Sequence, residues 1–319
     1  MRDVILGADG GGTKTNLIAI DALTGEKISS STAGSIHVMT MGMHTAVDNM
    51  EAAICGLHLT DEDRILALAV GDPAIDDSGE NDGAELIREI VARGLCPGNA
   101  ACFSKSDVFM ALYAFSKGEP AALIVAGTGS MGVALKTQYR HGKDNALLTV
   151  GGWGLPTTDA GSGYDIAVQG IRAAMDAFDE IAPPTRLCEE VQKHFGVCSP
   201  RALIDIFNGT DISRPKVAAF ATGVDRCAQA GDAVAMAILT GAGRVLGKYG
   251  LSLLRHIEWP EHRLGIYGSV LLRNTYVQKV FADTIHEILP NEDICIPQHP
   301  PEYGAARFAA DALNIQWEE

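Results

Sequence analysis

The chain has 319 residues, 47% of them hydrophobic, with 25 basic and 40 acidic residues and a formal net charge of −15. This length exceeds what one compact core usually holds, so two domains are expected. The negative charge opposes binding to nucleic acid or to an anionic membrane surface. No segment reaches transmembrane length, and Met1, Arg2 and Asp3 lead into an apolar run without a signal-peptide pattern. We therefore expect neither a nucleic-acid partner nor a membrane partner.

The cysteines also exclude a class of site. All seven are scattered along the chain, and none forms a Cys-x2-Cys pair of the kind that zinc and iron–sulfur sites use. Cys102 and Cys227 are isolated in the sequence. We interpret the seven as reduced thiols of a cytoplasmic protein.

Two segments share one pattern, which consists of an apolar strand, a glycine turn and a second strand-like stretch. They span residues 4–20 and 121–135, and each begins about half of the chain. The repetition predicts two related α/β lobes with mixed sheets, each starting with a β-hairpin.

The other elements follow from periodicity and from breaker residues. In chain order, the sequence predicts an amphipathic helix over 42–57, a strand over 64–70, helices over 84–93 and 107–116, a glycine-rich segment over 151–163, a largely helical stretch over 164–255, a strand from Leu264 to Leu272 that runs into a glycine turn, and a last helix over about 303–313. We assign residues 1–117 to an N-terminal lobe, with 303–319 packing back on it, and residues 118–302 to a C-terminal lobe.

The first glycine turn, Asp9-Gly10-Gly11-Gly12-Thr13-Lys14-Thr15, has the composition of a phosphate-binding loop. A dinucleotide fingerprint or a Walker loop requires a helix directly after the glycines. Here Asn16–Ile20 is β-like, and Thr13 stands where the Walker lysine should be. We therefore interpret the segment as a hairpin loop whose amides, hydroxyls and ammonium bind phosphate, with positive-φ glycines forming an anion-binding nest.

Asp9 lies at the end of the first buried strand, where a carboxylate could hold Mg²⁺ through water. The structural alternative for this loop is a plain tight turn. The second loop, Gly127-Thr128-Gly129-Ser130, is a weak signal alone. Together, two such loops could bind the β- and γ-phosphates of ATP.

Three other sites each allow a structural and a functional interpretation. Ser106-Asp107 before an apolar helix looks like a helix cap. Trp153 stands among Gly151, Gly152 and Gly154, where a flat ligand could approach the ring, and a buried core tryptophan is the alternative. Gly268-Ser269 could be a simple strand-to-helix turn.

Taken together, the motifs resemble the BadF/BadG/BcrA/BcrD ATPase family of the actin/hexokinase-like superfamily, and within it the N-acetylglucosamine kinase branch. The resemblance covers nearly the whole chain. It rests on Asp9–Thr15, Ser106-Asp107, Gly127–Ser130, Gly151–Gly154, Asp159 with Gly161–Tyr164, Ala218–Phe220 with Ala228–Asp232, and Gly268-Ser269.

This resemblance implies two RNase H-like lobes with mixed five-stranded sheets around a nucleotide cleft, and ATP and Mg²⁺ as cofactors. It implies a kinase that phosphorylates a hydroxyl of a small amino sugar such as N-acetylglucosamine or glucosamine. Asp107 is then the base that accepts the hydroxyl proton, and Asp9 the metal residue. The implied nucleotide residues are Gly10, Gly11, Gly12, Thr13, Lys14, Thr15, Gly127, Thr128, Gly129, Ala218, Gly268 and Ser269. The implied sugar residues are Asp107, Ser130, Gly152, Trp153 and Asp159.

Some positions depart from the family pattern, and they concern the acceptor. Ile36 stands where the family usually has an asparagine that contacts the sugar, and Ala160 replaces a second carboxylate. Met131 stands where some members have a polar residue, while His37 could replace the lost asparagine. Because sugar pockets discriminate through hydrogen bonds, these changes bear on which substrate is selected.

Two other functions remain open at this point. The chain could be a dehydratase-activating ATPase, which would need cluster cysteines, or a catalytically weak sugar- or nucleotide-binding regulator of the same fold. A homodimer is a further expectation, based on how common C2 dimers are.

Overall fold

The computed structural model describes residues 1–75, 83–143, 147–154, 159–209, 212–257 and 263–317. The chain folds into two compact units. Unit 1 comprises Met1–Ala121, Thr137–Leu147 and Pro297–Glu319, and unit 2 comprises Ala122–Lys136 and Leu148–Ile296. Within the described residues, no helix is both long and apolar enough to span a membrane.

Strands and helices occur mostly in runs along the chain. The strands are β1 Arg2–Gly10, β2 Lys14–Asp21, β3 Lys27–Gly34, β4 Asp63–Gly71, β5 Ala101–Lys105, β6 Ala121–Ala126, β7 Ser130–Leu135, β8 Leu147–Gly151, β9 Leu264–Tyr267 and β10 Ile294–Cys295. The helices are α1 Val38–Met41, α2 Met43–Cys55, α3 Ala84–Ala92, α4 Asp107–Ser116, α5 Gly163–Phe178, α6 Leu187–Phe195, α7 Leu203–Asn208, α8 Arg214–Ala218, α9 Ala221–Gln229, α10 Ala233–Leu254, α11 Ser269–Arg273, α12 Thr275–His286 and α13 Pro301–Ala312, with a short 3-10 turn at Pro200–Ala202.

Both sheets have five strands and the same internal order. The first sheet runs β3-β2-β1-β4-β5, and the second, taken from its opposite edge, runs β8-β7-β6-β9-β10. β1 is antiparallel to β2 and parallel to β4. β6 is parallel to β9, and its three-residue connection to its sheet neighbour β7 allows only an antiparallel hairpin. The prediction of two related lobes with mixed sheets and initial hairpins is therefore confirmed.

In unit 1, the sheet is covered by helices that fix the start of α4. Val4 to Ala8 of β1 are fully buried, as expected for a central strand with both faces covered. Helix α13 packs on α4 through Phe308, whose ring meets those of Phe109 and Tyr113 edge to face. The Tyr113 hydroxyl also donates a 2.8 Å hydrogen bond to Asp311 of α13. These contacts hold α4, which begins at Asp107, against the sheet.

The core of unit 2 lies between its sheet and helices α5, α9, α10 and α12. Phe220 and Phe281 are among its fully buried side chains. Asp232 caps α10 and accepts hydrogen bonds from the backbone N–H groups of Val234 and Ala235. Its other oxygen accepts from the Thr185 hydroxyl and the Arg186 N–H. This one carboxylate therefore joins the 185–186 segment to the longest helix described in unit 2.

Most predicted elements are present, and the exceptions have local causes. The predicted helices at 42–57, 84–93, 107–116 and 303–313 correspond to α2, α3, α4 and α13, and the strand at 64–70 to β4. The strand predicted over Leu264–Leu272 is too long, because β9 ends at Tyr267, Gly268 turns the chain at φ 92°, and Ser269–Arg273 is helical.

The fold brings two of the cysteines together. The Sγ atom of Cys102, which is isolated in the sequence, lies 3.5 Å from the Sγ atom of Cys96 in the folded chain. The seven cysteines form no disulfide.

Candidate active site

The first glycine loop is the tip of the β1–β2 hairpin, as predicted. In the ladder Asp9 lies opposite Asn16 and Gly10 lies opposite Thr15. The loop closes with a 2.8 Å hydrogen bond from the Gly11 N–H to the Lys14 carbonyl. Gly12, Thr13 and Lys14 are exposed at this tip. Thr15 is fully buried, and its hydroxyl has no hydrogen-bond partner in the described part of the chain.

The predicted positive-φ nest is wrong. Neither Gly10, Gly11 and Gly12 of the first loop nor Gly127 and Gly129 of the second has a positive φ. The first loop needs glycine for close packing instead. A Cβ atom on Gly10 would lie 2.6 Å from the Gly71 carbonyl oxygen and 2.6 Å from the Ile36 side chain.

Three carboxyl groups share the edge of the unit 1 sheet where this loop begins. Burial, followed by the charges of Asp107 and Glu302, raises the pKa of Asp9 to about 7, and Lys14 opposes that rise. Burial likewise raises the pKa of Glu302. Such a concentration of negative charge is what a bound cation would neutralise.

Asp107 is the first residue of α4, but it is not the residue that caps the helix. The Ser106 hydroxyl accepts a 3.1 Å hydrogen bond from the Phe109 N–H, and this is the N-cap interaction. The half-buried Asp107 carboxylate accepts from the N–H of Val108 at 2.8 Å. Its Cα atom lies 3.2 Å from the position that a Cβ on Gly71 would take, so the carboxyl end of β4 passes directly beside it.

The second loop rests on the first turn of α5. The Gly163 N–H donates to the Gly127 carbonyl at 2.7 Å, and the Tyr164 N–H donates to the Thr128 carbonyl at 3.3 Å. The Ser130 hydroxyl, buried at the end of the loop, donates to the Ala160 carbonyl at 2.8 Å. The loop is therefore fixed both to α5 and to the segment that carries Asp159.

A cavity of about 340 Å³ opens beside this loop in unit 2. Four predicted nucleotide residues line it, namely Gly127, Thr128, Ala218 and Ser269. Gly268 directly precedes Ser269 and makes the turn from β9 into α11. The fold therefore brings predicted residues from three distant parts of the sequence to one cavity.

Sequence reasoning missed the polar wall of the cavity. Thr222, Asp225, Arg273 and Asn274 line it as well. Asn274 donates a 3.0 Å hydrogen bond to Asp225, and burial raises the pKa of that carboxyl. No motif marks these residues, because they lie on α9 and at the α11–α12 junction and meet only after folding.

The predicted sugar residues of unit 2 occupy contrasting environments. Trp153 is 77% exposed, so the alternative of a core tryptophan is wrong. Gly152 beside it is also exposed. Asp159 is buried and forms an ion pair with Arg214, a residue that the sequence analysis did not select. Residues 155–158 of the predicted glycine-rich segment lie outside the described residues.

Two of the positions that bear on the departures from the family pattern, Ile36 and His37, lie in unit 1. Ile36 is fully buried and packs against the glycine loop. His37, next in the chain, is half-buried, and its Nδ1 atom is buried without a hydrogen-bond partner in the described part of the chain. Burial raises the pKa of Asp72, and the nearby His37 opposes that rise.

The chain is similar to several known proteins. N-acetyl-D-glucosamine kinase of Dictyostelium discoideum is 24% identical over 98% of this chain and 99% of its own length. N-acetylmuramic acid/N-acetylglucosamine kinase of Clostridium acetobutylicum is 25% identical over 59% of this chain and 60% of its own length. Among solved structures, a Chromobacterium violaceum protein to which N-acetylglucosamine kinase activity has been attributed has a TM-score of 0.73 at 21% identity, covering 97% of this chain and 99% of that protein.

The structural likeness shows that this chain shares the fold of that protein. The family description, "BadF/BadG/BcrA/BcrD ATPase family", matches residues 6–309, which is nearly the entire chain. On that match, this chain belongs to the BadF/BadG/BcrA/BcrD ATPase family.

Proposed function

We propose that this chain is an ATP-dependent kinase that phosphorylates a hydroxyl of an amino sugar of the N-acetylglucosamine or glucosamine class. The observation that carries the proposal is the Asp107 carboxylate, which lies in the charge cluster of Asp9 at the start of α4. A protein that only binds nucleotide has little need for this second carboxylate. The likeness over the full length of a Dictyostelium sugar kinase supports the same reaction.

The unit 2 cavity is suited to the adenosine part of ATP. Its volume of about 340 Å³ falls within the range of small-molecule sites, roughly 300–1,000 Å³. Ile166, Ala218 and Val270 offer apolar surface to a purine ring, and Asp225 and Asn274 offer hydrogen bonds to ribose hydroxyls. The adjoining Gly127–Gly129 loop of unit 2 would then contact the phosphates.

Asp107 would act as the general base. As the sugar oxygen forms its bond to the γ-phosphorus, the bond from that phosphorus to the bridging oxygen of ADP breaks, and the hydroxyl proton passes to Asp107. The N-terminus of α4 favours the ionised carboxylate before the transfer. The packing of α4 against α13 fixes where that carboxylate points, which is the positioning that in-line transfer requires.

A magnesium ion fits the residues of unit 1. Among the described residues, no group of three His, Cys, Asp or Glu side chains is arranged to hold a metal directly. Mg²⁺ typically keeps several of its waters and uses one or two carboxylates, so Asp9 would hold it through water. Burial and then the charges of Asp107 and Glu302 raise the pKa of Asp9, and a bound cation would offset these effects. When bound, Mg²⁺ neutralises charge on the ATP phosphates.

For the acceptor, we propose recognition residues in each unit by itself, namely His37 in unit 1 and Trp153 and Asp159 in unit 2. The buried, unpartnered Nδ1 atom of His37 can form a hydrogen bond that Ile36 cannot. Trp153 offers an exposed ring to the apolar face of a sugar. Asp159 offers a carboxylate to its hydroxyl groups.

The test is ADP release from Mg·ATP in the presence of hexosamines, N-acetylhexosamines, hexoses and polyols, with a control that lacks an acceptor. We expect one amino sugar to stimulate release, and Asp107→Asn to abolish the stimulation. Asp283→Asn is the matched control, because it neutralises a carboxylate on the exposed face of α12 and should leave the rate unchanged. Turnover that does not depend on any acceptor would instead indicate an ATPase, and an absence of turnover with intact ADP binding would indicate a regulator.

A further inference from the structure

Arg214 forms an ion pair that neither the motifs nor the family comparison identifies. Its Nη2 group donates to the Asp159 carboxylate, whose side chain is only 6% exposed. The guanidinium also lies over the Tyr164 ring, 5.7 Å from its centroid. Burial lowers the pKa of Arg214, but an arginine stays protonated at neutral pH because its reference pKa exceeds 12.

The pair lies directly against the second glycine loop. A Cβ atom on Gly129 would be 3.1 Å from the Asp159 carboxylate and 3.2 Å from the Arg214 guanidinium. A side chain at position 129 would therefore press on both partners. The same segment is fixed from the other side, where Ser130 donates to the Ala160 carbonyl. Loop, carboxylate and guanidinium form one packed group.

Arg214 belongs to a helix that also lines the unit 2 cavity. It is the first residue of α8, and Pro215 and Ala218 of the same helix line the cavity. Ser213 caps the helix by accepting from the Lys216 N–H. The guanidinium is therefore attached to an element that a bound nucleotide would contact, while its charge is directed at Asp159.

A buried carboxylate next to a phosphate loop needs such a partner. Without a cation, Asp159 would be a buried, unpaired charge, which is strongly unfavourable. Arginine suits this place better than lysine, because its planar guanidinium can stack on Tyr164 while it donates to the carboxylate.

We propose that Arg214 is a positioning residue for the acceptor: it holds Asp159 ionised and oriented beside the Gly127–Gly129 loop, and it links that carboxylate to the wall of the nucleotide cavity. This inference rests on the proposed function, because it assigns Asp159 to the acceptor. Arg214 acts through Asp159, so its removal should affect the acceptor KM more than nucleotide affinity.

The experiment is a double-mutant cycle with Arg214→Ala and Asp159→Asn, singly and combined. Acceptor-dependent ADP release gives kcat and KM, and calorimetry gives the Kd of ADP. We expect Arg214→Ala to raise the acceptor KM by at least tenfold while the ADP Kd changes by less than threefold. Asp159→Asn should raise the acceptor KM similarly in the wild-type background, but by less than twofold in the Arg214→Ala background, because the two residues act as one unit.

Two further variants separate positioning from a general loss of structure. Arg214→Lys should recover part of the acceptor KM, and millimolar guanidinium chloride should partly rescue Arg214→Ala. Arg226→Ala is the matched control, because it removes another arginine–carboxylate pair of unit 2, with Glu190, and should leave the acceptor KM within twofold of the wild type.

The outcomes distinguish this inference from the proposed function. The inference alone would be overturned by either of two results in a chain with acceptor-dependent turnover. The first is that the effects of Arg214→Ala and Asp159→Asn on the acceptor KM are additive. The second is that the acceptor KM of Arg214→Ala stays within twofold of the wild type. A wild-type chain without acceptor-dependent turnover would overturn both.

Discussion

The turn at Gly268 gives a sharp test of how the nucleotide cavity is built. Gly268 has φ 92°, and a Cβ atom there would lie 2.4 Å from the carbonyl oxygen and 2.6 Å from the carbonyl carbon of Ala126. Ala126 ends β6, the sheet neighbour of β9. An alanine at 268 can be accommodated only if two paired strands separate at their ends, so we expect Gly268→Ala to damage both the stability of unit 2 and its cavity.

The size of the effect follows from two separable contributions. Gly268 combines φ 92° with ψ 157°, a region that costs a non-glycine residue of order 1–3 kcal/mol, and forced overpacking typically adds about 1–3 kcal/mol. Gly231→Ala is the control for positive φ, because Gly231 has φ 83° and nothing lies within 4 Å of its added Cβ atom. The control should therefore lose only the backbone contribution, and Gly268→Ala should lose roughly 2–6 kcal/mol of unfolding free energy.

Urea titration of both variants and the wild type measures these losses, and calorimetry gives the Kd of ADP. Because Ser269 and Val270 line the cavity directly after the turn, Gly268→Ala should weaken ADP binding by at least tenfold. Gly231→Ala should change it by less than twofold. Equal losses of unfolding free energy in the two variants would refute the steric argument, and unchanged ADP affinity in a folded Gly268→Ala would refute the link between this turn and the cavity.

Four other expectations can be checked with single variants. Asp107→Asn should lower kcat by about 10²–10⁴-fold in acceptor-dependent ADP release and leave the ADP Kd within threefold, and a retained kcat would remove Asp107 as the base. His37→Ala should change the ratio of kcat/KM between two amino sugars while the ATP KM stays constant, whereas a parallel fall for every acceptor would indicate a structural role. Trp153→Phe should abolish the fluorescence change that a saturating acceptor causes in the wild type, and an unaltered change would place the ring outside the acceptor site. Asp232→Ala should lower the unfolding free energy by about 2–4 kcal/mol at pH 7, because it removes a cap and several hydrogen bonds to a charged group. Burial raises the pKa of Asp232, but its hydrogen bonds outweigh burial and hold the pKa below the usual value. Urea titrations should therefore show the difference in unfolding free energy above about pH 4 and its loss as the pH falls further, and a difference independent of pH would contradict this account.

Local patterns predicted the parts of this fold whose cause is local. The two hairpins could be found because an apolar strand, a glycine turn and a second strand are contiguous, and Ser106 before an apolar helix is a true cap. Strand β3 has no such signal. Its sequence KISSSTAG is polar and mostly half-exposed at the sheet edge, so its strand conformation comes from pairing with β2.

The unpredicted parts of the candidate site share another cause. Arg214 and Asp159 are 55 residues apart in sequence, and Asn274 and Asp225 are 49 apart. Neither pair has a characteristic spacing, because the contact depends on how helices pack in unit 2. The loop glycines show the same limit. Their clustering predicted positive φ angles. Gly10 and Gly129 are needed instead because atoms from elsewhere in the fold lie so close that a Cβ atom would not fit without a shift.

The duplicated sheets also show how one scaffold can carry two different chemical environments. In unit 1 the loop after the first strand gathers acidic groups, because Asp9, Asp107 and Glu302 raise the local negative charge. In unit 2 the corresponding loop is held by α5 and by the Arg214–Asp159 pair, so the acidic group there is neutralised. An uncompensated carboxylate cluster suits a metal ion and a base, whereas a neutralised loop beside an apolar cavity suits a polyanionic nucleotide. The difference between the two environments therefore follows from the residues that each copy of the hairpin packs against, rather than from the hairpins themselves.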